Sequence, residues 1–209
     1  MIGYKIIIYL SATSVLVPIV IGIGNFRARP AFFKWLGFYL LLSGLSDLCA
    51  LINPNIAPIT NNIFSVFQIL ILTLFYTYLS TNKFVGKLIL GIGVALTLYI
   101  IKFQLIGNFD VRNMQIQLLS ALWFIVLAIN FFFALLKAPP VNDILRYPYF
   151  WFNLAILIYF SGNLFLYASI NFIKSENLYY LYIPIHSMFN VIKNLFLAIS
   201  LYLDPNVQQ

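Results

Sequence analysis

His186, Asn190, Lys193 and Asn194 fall within one apolar stretch, Tyr179 to Leu203. The stretch has about the length needed to cross a bilayer as a helix. On a helix, positions 186, 190, 193 and 197 share a face and 194 sits beside them, so the polar groups form a stripe along an apolar rod. His186 is the sole histidine of the chain, and Lys193 is the basic residue in the middle of an apolar span. An ionisable group at that depth points to a ligand contact, a proton relay or an ion pair. Asp47, the carboxylate deep in another apolar stretch, is the natural counter-ion of Lys193. One histidine and one cysteine, Cys49, cannot make a typical zinc site. No phosphate loop or nucleophile–base pattern is present. Asp47 and His186 are the one pair that could serve as acid and base, so the sequence points away from an enzyme and implies no cofactor.

These residues must be positioned by membrane helices. Of 209 residues, 63% are hydrophobic and 8% charged, whereas a soluble domain is nearer a quarter charged. The mean hydropathy is +0.96. The net charge of +7 does not indicate nucleic acid, because the basic residues stand singly between apolar spans rather than in one patch. The expected fold is all-α: a single-domain polytopic bundle of seven transmembrane helices surrounded by membrane lipids. The expected spans are about 4–24, 31–51, 61–79, 88–106, 114–136, 149–170 and 179–203. The first, with an expected kink at Pro18, is too long for a signal h-region and no small-residue cleavage site follows it, so it reads as a retained helix. Pro139 and Pro140 stop the fifth. Gly91 and Gly93 in the fourth read as sites of close helix packing. The aromatic residues read mostly as lipid-facing and interfacial, with Tyr179, Tyr180 and Tyr182 as a belt at one face.

Loop charge orients the bundle. Lys5, Lys102, Arg112 and Lys174 lie on one side, and Arg27, Arg29, Lys34, Lys83, Lys87, Lys137 and Arg146 on the other. The excess marks the cytoplasmic side, which places the N-terminus outside and the C-terminus in the cytoplasm. The second and sixth spans then run outward and the third and seventh inward. Asp47, Ser161, Asn163, Asn61, Ser65, Gln68, His186 and Asn190 consequently fall in the outer half, with Lys193 near the midplane. Polar groups at one depth in four spans imply a hydrated pocket lined by the second, third, sixth and seventh. The candidate site is Asp47, Ser65, Gln68, Asn163, His186, Asn190, Lys193 and Asn194. The alternative for the amides, Asn153 included, is interhelical hydrogen bonding at around 1 kcal/mol each.

Two stretches suggest an internal repeat. Ser43-Gly-Leu-Ser-Asp-Leu-Cys-Ala-Leu-Ile-Asn53 and Ser161-Gly-Asn-Leu-Phe-Leu-Tyr-Ala-Ser-Ile-Asn171 share serine, glycine, alanine, isoleucine and asparagine at matched positions. The offset of four spans suggests two parallel three-helix units joined by the fourth span. Chance matching of apolar segments and small residues used in packing is the competing explanation.

The stretches Tyr149-Phe-Trp-Phe-Asn153 through Phe160-Ser-Gly-Asn163, and His186 through Asn194, resemble small bacterial seven-helix membrane proteins and the seven-helix sensor modules that precede histidine kinases. That resemblance implies a receptor-like module in a bacterial cytoplasmic membrane, with a small-molecule ligand and a separate signalling partner. The three-plus-one-plus-three pattern resembles the small seven-helix sugar transporters, although Pro18 has no counterpart in the fifth span. Lys193 resembles the retinal lysine of rhodopsins by position alone, since the third span carries no carboxylate counter-ion. Sensor, small-solute transporter and non-catalytic assembly subunit are therefore the three expectations.

Overall fold

The computed structural model describes residues 2–24, 30–106, 114–170 and 177–203. Arg27, Arg29, Asp110, Arg112, Lys174 and Glu176 lie outside the described residues, as do the side chains of Lys5, Tyr179 and Tyr180. The described chain is helical, without strands: α1 (Ile2–Ser14), α2 (Leu16–Gly24), α3 (Ala31–Ile52), α4 (Ala57–Leu79), α5 (Lys83–Ile106), α6 (Met114–Lys137), α7 (Pro148–Ile170) and α8 (Asn177–Tyr202). Among the described residues seven segments are long and apolar enough to cross a bilayer, with α1 and α2 together supplying the first, Ile6–Gly24. The protein is an integral, multi-pass membrane protein.

The helix ends differ from the sequence expectation where caps override composition. Proline is tolerated in the first turn, where its missing N–H would have no partner. Thus α4 begins at Ala57 with Pro58 in its first turn, and α7 begins on Pro148. Helix α5 begins at Lys83 inside the expected basic turn, because the Asn82 side chain accepts from the backbone N–H of Phe84 at 2.9 Å and of Val85 at 3.4 Å. Such a side chain caps helix donors that otherwise lack partners. The first span is broken at Val15. Pro18 has no N–H to give to the carbonyl of Ser14, and its ring crowds that carbonyl; the helix resumes with Ile19 N–H donating to Val15 at 3.3 Å.

Helix α8 packs on α7, α1 and α2; α7 packs on α6, α6 on α4, α4 on α3, and α3 on α2. Six spans therefore close a ring, and α5 lies against α4 outside it. Helix α5 buries only a narrow stripe, Gly86, Ile89, Gly93, Thr97, Ile100 and Gln104, as an outer helix should. A methyl group on Gly93 would overlap Thr73 of α4, whereas nothing lies within 4 Å of one on Gly91. Only Gly93 brings the two helices together, because the two glycines lie on different faces. The glycines of the suggested repeat do not share a partner either. Gly44 receives Val15 of the preceding span, and Gly162 receives the Phe189 ring of the following one.

The interior is layered. At one end α3, α4 and α7 bury Phe32, Phe75 and Phe152, with ring centroids 4.7 Å (Phe32–Phe75), 5.2 Å (Phe32–Phe152) and 5.5 Å (Phe75–Phe152) apart. Tyr149 adds an edge contact to Phe32 at 4.7 Å. The aromatic residues as a whole were expected mostly at lipid or interface; these fill the ring of helices, since large planar groups occupy wide interhelical space and gain edge-to-face contacts. Above them a layer of fully buried aliphatic side chains, Leu36, Leu72, Ile156 and Leu197, crosses the bundle. The polar residues lie beyond it.

Candidate functional site

Four elements meet around a cavity of about 220 Å³ at the end of the bundle opposite the aromatic cluster. Asp47 comes from the last turns of α3, Asn61 from the first turns of α4, and His186, Ser187 and Asn190 from the first half of α8. Helix α1 adds Ser11 between Ile8 and Ala12. The cavity thus opens between α1, α3, α4 and α8. The first span was not expected in its wall, and α7, which was, does not reach it. Span one reads as uniformly apolar, which concealed Ser11 and Ser14. Their i, i+3 spacing, which puts two hydroxyls on one face beside the Pro18 break, is the signal that could have found them.

Asn190 ties the wall together. Its Nδ2 donates to Ser11 Oγ at 3.0 Å and to Asp47 Oδ2 at 3.5 Å. One turn further, Asn194 Nδ2 donates to Ser14 Oγ at 2.7 Å, at the broken turn of the first span. Asn194 is fully buried, and its Oδ1 accepts no hydrogen bond among the described residues.

His186 is held from α7. Asn163 Nδ2 donates to the carbonyl of Tyr159 at 2.7 Å, which turns its Oδ1 toward His186 Nδ1 at 2.5 Å. An amide oxygen only accepts, so Nδ1 carries the proton of this contact. Tyr182, one turn earlier on the same face, stacks on His186 with centroids 5.7 Å apart and planes 9° from parallel. Tyr182 is buried rather than part of an interfacial belt; its i, i+4 relation to His186 places it on the inward face.

Lys193 lies below the cavity and is 1% exposed. Its Nζ stands 4.6 Å from the Tyr159 ring centroid and 6.0 Å from that of Tyr39. Among the described residues Asp47 and Lys193 form no ion pair within 4.0 Å; they attract one another across a longer gap, and the hydrogen bond to Asp47 comes from Asn190. The cause is register. Lys193 sits about 4.5 Å further along the axis than Asn190 at 1.5 Å rise per residue, and the ammonium turns onto an aromatic face.

The other expected site residues are elsewhere. Gln68 is buried beneath the cavity, with Nε2 donating to Tyr39 Oη at 3.1 Å. Ser65 faces α6, accepting from Gln117 Nε2 at 2.8 Å while donating to the Asn61 carbonyl at 2.7 Å. Ser46, which the sequence did not single out, donates to Asn61 Oδ1 at 3.3 Å. Ser161 is exposed and donates to the Leu157 carbonyl of its own helix. Asn153 belongs to the far end, accepting from Tyr76 Oη at 2.7 Å and donating to the Ala128 carbonyl at 3.0 Å. That makes it a link between α4, α6 and α7. A double-mutant cycle of Tyr76→Phe and Asn153→Ala should give a coupling of about 1 kcal/mol, the scale of interhelical hydrogen bonds in bilayers. Strict additivity of the two melting shifts would contradict the bond.

Chemically the cavity offers one carboxylate, one imidazole, amides and hydroxyls against apolar walls. Asp47 and His186 both line it, but Asp47 is bonded to Asn190 and His186 to Asn163. That suits recognition of a small polar solute better than proton transfer between the pair. No family model matches the chain, and neither a curated protein nor a solved structure matches it.

Proposed function

We propose that the protein is a receptor-like module of a bacterial cytoplasmic membrane. A small molecule occupies the cavity bounded by Asp47, Asn61, His186 and Asn190, and a cytoplasmic partner reads the resulting change in helix packing. The N-terminus is outside and the C-terminus cytoplasmic, in keeping with the excess of lysine and arginine at the opposite end, so the cavity faces outward. The observation that carries the reading is a polar cavity at one end, with the centre of the helix ring closed beneath it toward the other. Beneath it lie the aliphatic layer of Leu36, Leu72, Ile156 and Leu197 and the Phe32–Phe75–Phe152 cluster. A site with a closed floor favours sensing over passage. The basic residues Lys34, Lys83, Lys87, Lys137 and Arg146 around the filled end are the partner's docking face. A ligand acts on such a bundle only through different affinities for two packings, and Asn190, bridging the first span, α3 and α8, is the contact that would differ.

Transport of a small solute is the second reading. It is favoured by a cavity of about 150 Å³ between α4, α5 and α6 at the filled end, lined by Tyr76, Asn82 and Asn130 among others. Transport would require the aliphatic layer to part, and it would gain from a true repeat.

The test is thermal unfolding of the purified protein against a panel of cationic, anionic and neutral metabolites. A ligand of the native state at a hundred times its Kd contributes about 2.7 kcal/mol. A dose-dependent rise in Tm that is lost in His186→Ala is expected. No shift with any class of compound overturns the reading, and flux of the binder into proteoliposomes would replace sensing with transport.

A further inference from the structure

The hydrogen-bonding state of the cavity identifies the class of ligand, granted that the cavity binds one. Three hydrogen-bond donors in and beside it are already committed. Asn190 Nδ2 serves Ser11 and Asp47, the Ser46 hydroxyl serves Asn61 Oδ1, and the proton on His186 Nδ1 faces Asn163. Its strongest acceptor is under-used. Asp47 receives Asn190 at 3.5 Å, the outer limit of a hydrogen bond, although a carboxylate has about four lone-pair sites. No lysine or arginine lines the cavity, and no cationic nitrogen lies within 4.0 Å of Asp47 among the described residues. A carboxylate half-removed from water in an apolar protein requires a counter-charge. Lys193 attracts Asp47 only from a distance, with its ammonium over the Tyr159 ring, and leaves the cavity side of the carboxylate without a cation in contact.

We infer that the cavity binds a small organic ammonium ion, with Asp47 as its counter-charge and the remaining walls receiving an apolar body. Ile8, Ala12, Leu51 and Ile183 supply those walls, and the Tyr182 ring closes one side. A cavity of about 150 Å³ accepts benzene, so about 220 Å³ admits an aromatic ring with a short aminoalkyl arm. An inorganic cation is a poor match, because no cluster of three or more metal-ligating side chains exists among the described residues. A carboxylate ligand would be repelled by Asp47.

The experiment compares three probes of one shape on the full protein in lipid nanodiscs by calorimetric titration at neutral pH: 2-phenylethylamine, 2-phenylethanol and phenylacetate. The amine is expected to bind at least tenfold tighter than the alcohol, and phenylacetate weakest. Asp47→Asn, of nearly the same shape, should bring the amine to the level of the alcohol and leave the alcohol unchanged. Equal affinity for amine and alcohol in the native protein overturns the proposal, because it would mean that Asp47 is uncharged. Tighter binding of phenylacetate overturns it as well. In both cases the cavity remains a ligand site of another class. Absence of binding by all three overturns the ammonium assignment, and the wider metabolite panel then decides whether the cavity binds anything. The ranking in the native protein needs no variant, so a poorly folding Asp47→Asn does not remove the test.

Discussion

Gly162→Ala is expected to lower the stability of the bundle by about 1–3 kcal/mol, the usual cost of forcing extra atoms into a packed interior. The sign is what makes the prediction informative. Alanine in place of glycine inside a helix ordinarily gains up to about 1 kcal/mol. At 162 the added methyl group would overlap three atoms of the Phe189 ring, Cε1, Cζ and Cε2. A ring met along its whole edge does not escape by a small rotation, so α8 must move away from α7. The same displacement would stretch the contact between His186 and Asn163, which spans these two helices. Phe189→Leu added to Gly162→Ala should recover most of the loss, because it removes the obstructing edge while keeping an apolar contact. Thermal unfolding of the two single variants and the double variant checks this. A Gly162→Ala protein that melts at or above the native temperature would contradict the close approach of α7 and α8.

The length and apolar character of each span were legible because the bilayer imposes them residue by residue. The face of α8 was legible for the same local reason, since helical periodicity alone groups 186, 190, 193 and 197. What the one-dimensional pattern did not carry was the identity of neighbours across the ring. Asp47 and Lys193 were paired on the ground that they are opposite charges within the spans; they do attract one another, but the direct contact goes to Asn190, three residues earlier on α8. Ser65 shares a face with Asn61 and Gln68 in sequence but bonds Gln117 on α6. The aromatic cluster was not legible because phenylalanine suits lipid and interior equally well, and hydropathy does not distinguish them. The proposed cavity rests on such cross-ring neighbours, above all on Ser11, whose span gave no polar signal beyond the hydroxyls of Ser11, Thr13 and Ser14.

Lys193→Met should leave the melting temperature within the range of about 1 kcal/mol of the native protein or raise it, while Lys193→Ala should lower stability by about 2 kcal/mol or more. The two substitutions separate charge from volume. Lys193 is among the largest fully buried side chains, and its four-carbon stem packs like a methionine, so truncation to alanine opens a cavity costing about 2–5 kcal/mol in comparable cores. The ammonium itself contributes little. Its position 4.6 Å from the Tyr159 centroid is worth about 2 kcal/mol for a desolvated cation–π contact, and the removal of a charge from water costs several kcal/mol. Methionine keeps the volume and relieves that cost, and the prediction holds only if the attraction to Asp47 across the gap is worth less than the desolvation removed. If Lys193→Met instead destabilises as much as Lys193→Ala, the ammonium is a structural tie of α8 to α3 and α7. If it is neutral to stability, the fold gains nothing from a lysine at this depth, and its presence about one turn below Asn190 is accounted for by the chemistry of the cavity above it. The amine affinity in Lys193→Met then carries the sign of that role. Removing a positive charge beneath a site that binds an ammonium ion should tighten binding, so weaker binding would mean that Lys193 holds the Asp47 end of the cavity in shape.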